Sequence, residues 1–251
     1  MNAFNRRIKI RTRTDAHGRS EARAALEDDM HHFRVHVLAS DGVIDTVTGE
    51  ALRHPTVLCP SAIARLQELL EMVLSPYSYS VTQHTDARQQ CTHLIDLAGL
   101  AIAAMANGNG ERAYWARVTD VVSEDTVRKA TLQRDGAACL EWRFVNGVIA
   151  DPAYVGGVSL ESGFTRWATT LADSDASEAA LVLRRAIFVA GGRDVDLDVV
   201  GNHRPPQAGC WVWQPERADE AHRVVGSTLD FANRPNDLLT ASKRWLEFME
   251  D

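Results

Sequence analysis

The sequence has no long hydrophobic run, and this absence restricts the kind of protein it can encode. No stretch of about 18 consecutive apolar residues occurs in its 251 residues, so we expect no transmembrane helix. The basic N-terminal segment is not followed by an apolar stretch, which argues against a secretory signal. We therefore expect a cytoplasmic protein with no membrane partner.

Cysteine is scarce, and its four positions are far apart in the sequence. Thiols that are few and widely spaced are typical of a reducing cytoplasm rather than of a disulfide scaffold. No close CxxC pair is present to suggest a zinc finger. The four positions are Cys59, Cys91, Cys139 and Cys210.

The common catalytic and nucleotide-binding motifs are also missing. No GxGxxG follows a predicted strand, and no GxxxxGK[ST], HExxH or GxSxG string occurs. These absences disfavour dinucleotide oxidoreductases, P-loop NTPases, zinc proteases and α/β-hydrolases. We expect a protein that uses no cofactor and no metal ion.

The formal net charge of −7 argues against a nucleic-acid partner, because such a partner requires a broad basic surface. Positive charge is concentrated only near the N-terminus. We predict a flexible basic arm over residues 1–24 and a single α+β domain over residues 25–251. Ile8 and Ile10 alternate with the charges, so a short edge strand is the alternative for part of this arm.

Alternating apolar residues predict several strands. One covers residues 30–39, and the turn signal Ser40-Asp41-Gly42 returns the chain as a hairpin partner up to residue 52. Further strands are expected over residues 112–122, 126–133 and 138–145, and Asp135-Gly136 joins the last two.

Helical periodicity predicts the remaining elements. Together with the strands they predict an α+β fold, in which an antiparallel β-meander packs against helices on one side. The expected helices begin near residues 60, 85, 163, 175 and 239 and end near residues 75, 105, 171, 189 and 249.

The second of these helices carries the string Cys91-Thr92-His93-Leu94-Ile95-Asp96. The helix is apolar on most sides, which is typical of a buried helix. His93 and Asp96 are three residues apart, so they can be neighbours on its surface. A carboxylate that orients a buried imidazole is suited to general acid–base catalysis. The alternative is a polar pair that only fixes helix packing.

Other candidates complete a predicted site around this helix. His31 has the strand parity of Phe33 and Val35, so it should point toward the core. His31 or Tyr79 is expected to donate a proton, and Arg88 to stabilise oxyanion charge. Aromatic and cationic side chains are expected to bind the substrate. The substrate-binding candidates are Thr92, Tyr114, Trp167 and Arg185.

The thiols give a different hypothesis. Cys59 lies at the first turn of a predicted helix, where a thiol pKa can be lowered. Cys59, Cys91 and His93 would then form a metal- or thiol-dependent site. Cys91 lies about 160° from His93 around the helix, so a nucleophilic dyad within this helix is not expected.

Several stretches together resemble the bacterial family called domain of unknown function 2889. The resemblance covers residues 25–232, and the Cys-Thr-His-Leu-x-Asp string is its most specific part. It implies an association with enzymes of bacterial aromatic and acyl catabolism. The stretches are residues 28–33, 55–59, 91–98, 183–186, 192–196 and 210–218.

These observations predict a cofactor-independent lyase that acts on a small aromatic or hydroxylated catabolic intermediate. Its concrete form is a retro-aldol release of formaldehyde, with His93 as the base and Asp96 orienting it. A non-catalytic partner of a catabolic enzyme is the third alternative. The expected partner is a small-molecule substrate, and a homo-oligomer is compatible with the sequence.

Overall fold

The computed structural model describes residues 2–122, 126–200 and 209–248. These residues contain an eight-stranded, fully antiparallel sheet with the strand order β4-β3-β2-β1-β5-β6-β7-β8. Two meanders therefore meet where β1 pairs with β5. The strands are β1 (Ala3–Thr14), β2 (Ser20–Glu27), β3 (His32–Ser40), β4 (Val43–Arg53), β5 (Glu111–Thr119), β6 (Arg128–Arg134), β7 (Ala137–Val145) and β8 (Val148–Asp151).

The two long helices lie on one face of this sheet, so the predicted α+β class and its layer arrangement are confirmed. One helix packs on β1, β2 and β3, and the other packs on β5, β6 and β7. The main hydrophobic core lies between the sheet and these helices. The helices are α1 (Val81–His84), α2 (Thr92–Ala106), α3 (Phe164–Ala168), α4 (Ser174–Ala190), α5 (Leu197–Val200) and α6 (Lys243–Leu246).

The N-terminal segment is a central strand, so the prediction of a flexible arm over residues 1–24 is wrong. β1 pairs with β2 on one side and with β5 on the other. Phe4, Ile8 and Ile10 are buried against the helices. The arginines and the lysine on the opposite face produced the basic composition, because side chains alternate between the two faces of a strand.

The predicted hairpins are present. Asp41 and Gly42 have positive φ angles of 53° and 78° between β3 and β4, and Asp135 and Gly136 have 52° and 82° between β6 and β7. Such turns match the twist of the two strands that they connect.

The helices differ from the predictions in length and type. Residues 59–69 form a 3-10 helix. The helix α2 begins only at Thr92, because two 3-10 turns and the four-residue α1 occupy most of residues 78–89. The predicted amphipathic helix over residues 239–249 is reduced to the four residues of α6. None of the helices in the described ranges has the length and apolar composition needed to cross a bilayer.

The C-terminal segment covers part of the sheet face opposite the long helices. Leu239 and Leu246 pack there on Ala25 of β2. His32 is buried beneath this segment, and its Nε2 atom lies 2.7 Å from the hydroxyl oxygen of Ser242. The C-terminal segment therefore excludes solvent from His32 on this face of β3.

Candidate active site

A cavity of about 360 Å³ lies at the boundary between the two meanders. Its walls come from the inner faces of β1 and β2, from α2, α3 and α4, and from the turns that precede α2. The lining side chains combine several apolar groups with a histidine, a tyrosine, an aspartate and three arginines. They include Arg6, Ile8, Leu26, Ser78, Tyr79, Val81, His93, Asp96, Leu97, Leu100, Thr165, Arg184 and Arg185.

His93 is the imidazole that lines this cavity. Its ring stacks on His31, with the ring centroids 3.8 Å apart and the planes 26° apart. Phe33 lies next to the pair, with its centroid 5.8 Å from that of His93. The Nε2 atom of His93 is buried and has no hydrogen-bond partner among the described residues. An unpaired buried nitrogen costs free energy, so this atom is a candidate for contact with a ligand.

Asp28 anchors the stack of the two imidazoles through its contact with His31. Its Oδ1 atom accepts hydrogen bonds from the backbone N–H groups of Met30 and His31, each at 2.8 Å, and lies 3.0 Å from Nδ1 of His31. Its Oδ2 atom accepts from Nε of Arg6 at 2.8 Å. The prediction that His31 points toward the core is confirmed. His31 supports His93 and is not itself among the lining residues.

Burial and the neighbouring charges set the protonation of this cluster. Burial lowers the pKa of His93 well below its ordinary value, and the nearby His31 and Arg6 lower it further. Burial also lowers the pKa of His31, against the attraction of Asp28. Burial opposes the ionisation of Asp28, but its contact with His31 and the charge of Arg6 outweigh it and keep the pKa of this carboxyl below its ordinary value. At neutral pH the site therefore holds two neutral imidazoles and an ionised aspartate.

Asp96 lines the cavity but does not orient His93, so this part of the prediction is wrong. Its Oδ2 atom accepts a hydrogen bond from Nε of Arg185 at 2.6 Å. Both side chains are partly exposed. The i, i+3 spacing brings two helical residues close to each other. The carboxylate of Asp96 nevertheless pairs with Arg185 of α4 and not with His93.

Tyr79 lies in the cavity wall as predicted, whereas Arg88 does not. Tyr79 belongs to the short turn over Ser78–Ser80, and its ring lies 5.4 Å from that of Tyr77. Arg88 is exposed on a 3-10 turn just outside the cavity. Arg6, Arg184 and Arg185 provide the positive charge in its place.

Of the four predicted substrate-binding residues, only Arg185 lines the cavity. Thr92 is half-buried at the start of α2. The hydroxyl of Tyr114 donates to the carboxylate of Glu178 and accepts from Arg112 at 3.2 Å. The ring of Trp167 packs on that of Phe164, with the centroids 5.0 Å apart. Tyr114 belongs to the hydrophobic core and Trp167 packs against it, and neither these two side chains nor Thr92 line the cavity, so the structure does not place these three predicted residues in it.

The thiols do not belong to this cavity. Cys59 and Cys91 are buried, and burial raises the pKa of each thiol. Burial also raises the pKa of Cys210, which is half-buried. Cys59 contacts the hydroxyl of Thr56, with Sγ and Oγ1 3.2 Å apart. Within residues 2–122, 126–200 and 209–248, no three His, Cys, Asp or Glu side chains are arranged to hold a metal ion.

Three important residues of the site were not among the predicted ones. Asp28 was given no role, although it lies in the stretch 28–33 of the family resemblance, and Arg6 was assigned to the basic arm. The parity of Arg6 with Phe4 and Ile8 was a signal that it faces the core. The third residue is Arg184. It precedes the predicted Arg185 on α4, and both arginines line the cavity.

Comparisons with known proteins do not extend this description. A search of the models of protein families finds none that matches the chain. A search of curated proteins finds no significant match. The site must therefore be interpreted from its own geometry and charge.

Proposed function

We propose that this cavity is the active site of a cofactor-independent lyase that acts on a small aromatic or hydroxylated molecule. The observation that carries the proposal is His93, a cavity-lining imidazole whose buried Nε2 atom has no hydrogen-bond partner among the described residues. Because its lowered pKa keeps it neutral, His93 can accept a proton at neutral pH. The resemblance to domain of unknown function 2889 adds support for a small-molecule catabolic enzyme.

The proposed reaction is a retro-aldol cleavage. His93 takes the proton of a primary hydroxyl group, and the bond between the hydroxymethyl carbon and its neighbour breaks. The hydroxymethyl group leaves as formaldehyde. The bond's electron pair stays on the neighbouring carbon and is delocalised into a conjugated electron-accepting group. A proton donor then protonates that carbon.

The cavity contains suitable groups for the other steps. Of the two predicted proton donors, Tyr79 is preferred over His31. Tyr79 lines the cavity, whereas His31 stacks on His93 and is not among the lining residues. Arg185 replaces Arg88 as the cation expected to stabilise developing oxyanion charge. The stack on His31 and the Asp28 anchor hold the His93 ring in a fixed position, and fixed positions reduce the reorganisation that a reaction requires.

The substitution His93→Gln tests this proposal. Glutamine keeps a polar side chain but cannot accept and return a proton as imidazole does. We expect formaldehyde release to fall by at least about 100-fold, the lower range for loss of a general base. The measurement is aldehyde release from a panel of hydroxymethyl-bearing aromatic compounds, with circular dichroism to show that the variant is folded.

His84→Gln is the matched control. His84 is exposed on α1, close to the same turns but not among the lining residues. Its activity should equal that of the unmodified protein. Full activity in His93→Gln, or no aldehyde release by the unmodified protein from any compound in the panel, would contradict the proposal.

A further inference from the structure

The charged residues of the cavity wall do not balance. Two cations have acidic partners: Arg6 lies 2.7 Å from Asp28, and Arg185 lies 2.6 Å from Asp96. The third cation, Arg184, forms no ion pair with any carboxylate in the described part of the chain. Because both imidazoles of the site are neutral at pH 7, the wall carries one unbalanced positive charge.

Arg184 is also held in place. Its Nε atom donates to the backbone carbonyl oxygen of Leu160 at 2.9 Å. Its guanidinium carbon lies 4.4 Å from the ring centroid of Phe188 and 5.7 Å from that of Phe164. Its Nη2 atom lies 3.5 Å from the backbone carbonyl oxygen of Glu161. These contacts orient the fork of the guanidinium group without neutralising it, since carbonyl groups and aromatic rings carry no net negative charge.

The environment of Arg184 favours an anionic partner. Burial lowers its pKa to about 10, and the charge of Arg185 contributes to this shift, while the more distant carboxylate of Asp96, which is paired with Arg185, only partly opposes it. Arg184 still carries its charge at pH 7, although burial imposes a free-energy penalty on the charged form. A guanidinium group forms two parallel hydrogen bonds to a carboxylate, so a bound carboxylate would relieve the penalty.

The rest of the cavity limits the ligand further. Leu97 and Leu100 of α2, with Ile8 and Leu26 of the sheet, form an apolar wall. A cavity of about 360 Å³ has room for one aromatic ring and a short side chain. One unbalanced cation suits one negative charge, because a second charge on the ligand would lie unpaired against the apolar wall.

We infer that Arg184 recognises the carboxylate of an aromatic monocarboxylic acid, with the ring of the acid against Leu97 and Leu100. This inference rests on the proposed function of the same cavity and specifies its substrate class. Arg184 is a binding and specificity residue, whereas His93 carries the chemistry.

Calorimetric titration of the full chain at pH 7 tests the inference. The probes are benzoate and 3-phenylpropanoate, each compared with its neutral amide of nearly the same shape. We expect at least one acid to bind, and its amide to bind at least about tenfold more weakly, the loss that corresponds to a single charge-assisted contact. Raising the salt concentration should weaken the binding of the acid and leave the binding of the amide unchanged.

Variants assign the contact to one residue. Arg184→Met keeps most of the apolar stem and should weaken the binding of the acid by at least about tenfold. Arg184→Lys keeps a positive charge and should restore part of this affinity. Arg166→Met is the matched control, because Arg166 is exposed on α3. This variant should bind the acid with the affinity of the unmodified protein. Circular dichroism checks the fold, and the comparison of acid with amide on the unmodified protein needs no variant.

Three results would overturn the inference. They are equal binding of acid and amide, equal affinity in Arg184→Met and Arg166→Met, and no binding of either acid at millimolar concentration. Each can be distinguished from failure of the proposed function. Binding of the acid by a folded His93→Gln variant would show that recognition is intact, whatever the aldehyde assay gives.

Discussion

At the scale of single residues, the site depends on two imidazoles that remain neutral while packed against each other. His31 and His93 share a stack with a centroid separation of 3.8 Å. If both rings were protonated, two like charges would lie in contact, and burial would add to the penalty. A neutral stack beside Arg6 and Asp28 avoids this repulsion. The same arrangement links the stability of the protein to pH.

We expect the free energy of unfolding to decrease as the pH falls below about 6.5, the ordinary pKa of histidine. Both imidazoles have lowered pKa values in the folded protein, so the unfolded chain binds more protons in this range. The stabilisation is complete above pH 6.5. It decreases by at most about 1.4 kcal/mol per pH unit for each imidazole until the folded pKa is passed.

Urea denaturation between pH 7.5 and 5 measures this dependence. His93→Gln removes one of the imidazoles whose pKa is lowered in the folded protein, so the stability of this variant should vary less steeply over the same range. His84→Gln, on the exposed surface, should keep the slope of the unmodified protein. A slope that is the same in all three proteins would contradict the assignment of buried neutral imidazoles.

At the scale of secondary structure, α2 determines where the cavity forms. The glycine of this helix, Gly99, packs directly against the turn that carries Tyr79. A Cβ atom at position 99 would overlap with the backbone carbonyl oxygen of Ser78 and would lie 3.0 Å from Cγ2 of Val81. The missing side chain lets the turn approach the helix and places Tyr79 in the cavity wall.

Gly99→Ala should therefore destabilise the protein by about 1–3 kcal/mol, the usual cost of overpacking. This expectation is opposed to the higher helix propensity of alanine, which by itself would stabilise a helix by about 1 kcal/mol. Gly110→Ala is the control, since no heavy atom lies within 4 Å of its Cβ position. Chemical denaturation would contradict the interpretation if Gly99→Ala were as stable as the unmodified protein.

At the scale of the whole molecule, β1 joins the two meanders into one sheet. Residues 7–11 have a partner strand on each side. The cavity lies beneath this junction, because Arg6 and Ile8 of β1 form part of its wall. The N-terminal strand therefore contributes both to the continuity of the sheet and to the site.

Amide hydrogen exchange checks this role of β1. The amides of residues 7–11 should be among the slowest to exchange, since central strands open only in large unfolding events. The exposed turn over residues 15–18 should show little protection and serves as an internal reference. Exchange of residues 7–11 as fast as that turn would indicate a flexible arm and would contradict the strand assignment.

Local patterns predicted the elements that local physics determines. The alternation in β3 and the Asp-Gly turn before β7 specify hairpins, because strand period and turn geometry involve only neighbouring residues. The apolar periphery of α2 likewise predicted a buried helix. His31 was assigned to the core side from parity alone. His93 and Tyr79 were chosen from residue type and environment, and both line the cavity.

The errors concern partners that lie far apart in the sequence. β1 was taken for an arm because its charged face dominates the composition, while the burial of its other face depends on β2, β5 and α2. Asp96 was paired with His93 because their spacing is local, but Arg185, 89 residues away, is its partner. Arg88 was chosen and Arg184 was given no role, because the sequence does not show which arginine faces the cavity.

The sequence by itself determined the α+β class, the hairpins, the buried helix and the choice of His93, because period, turn chemistry and residue type operate over a few residues. Only the tertiary structure decided how the charges pair: Arg6 with Asp28, Arg185 with Asp96, and Arg184 with no acidic partner in the described chain. Ion pairing depends on distance in space and on burial. Both are set by the way β1, α2 and α4 pack around one cavity.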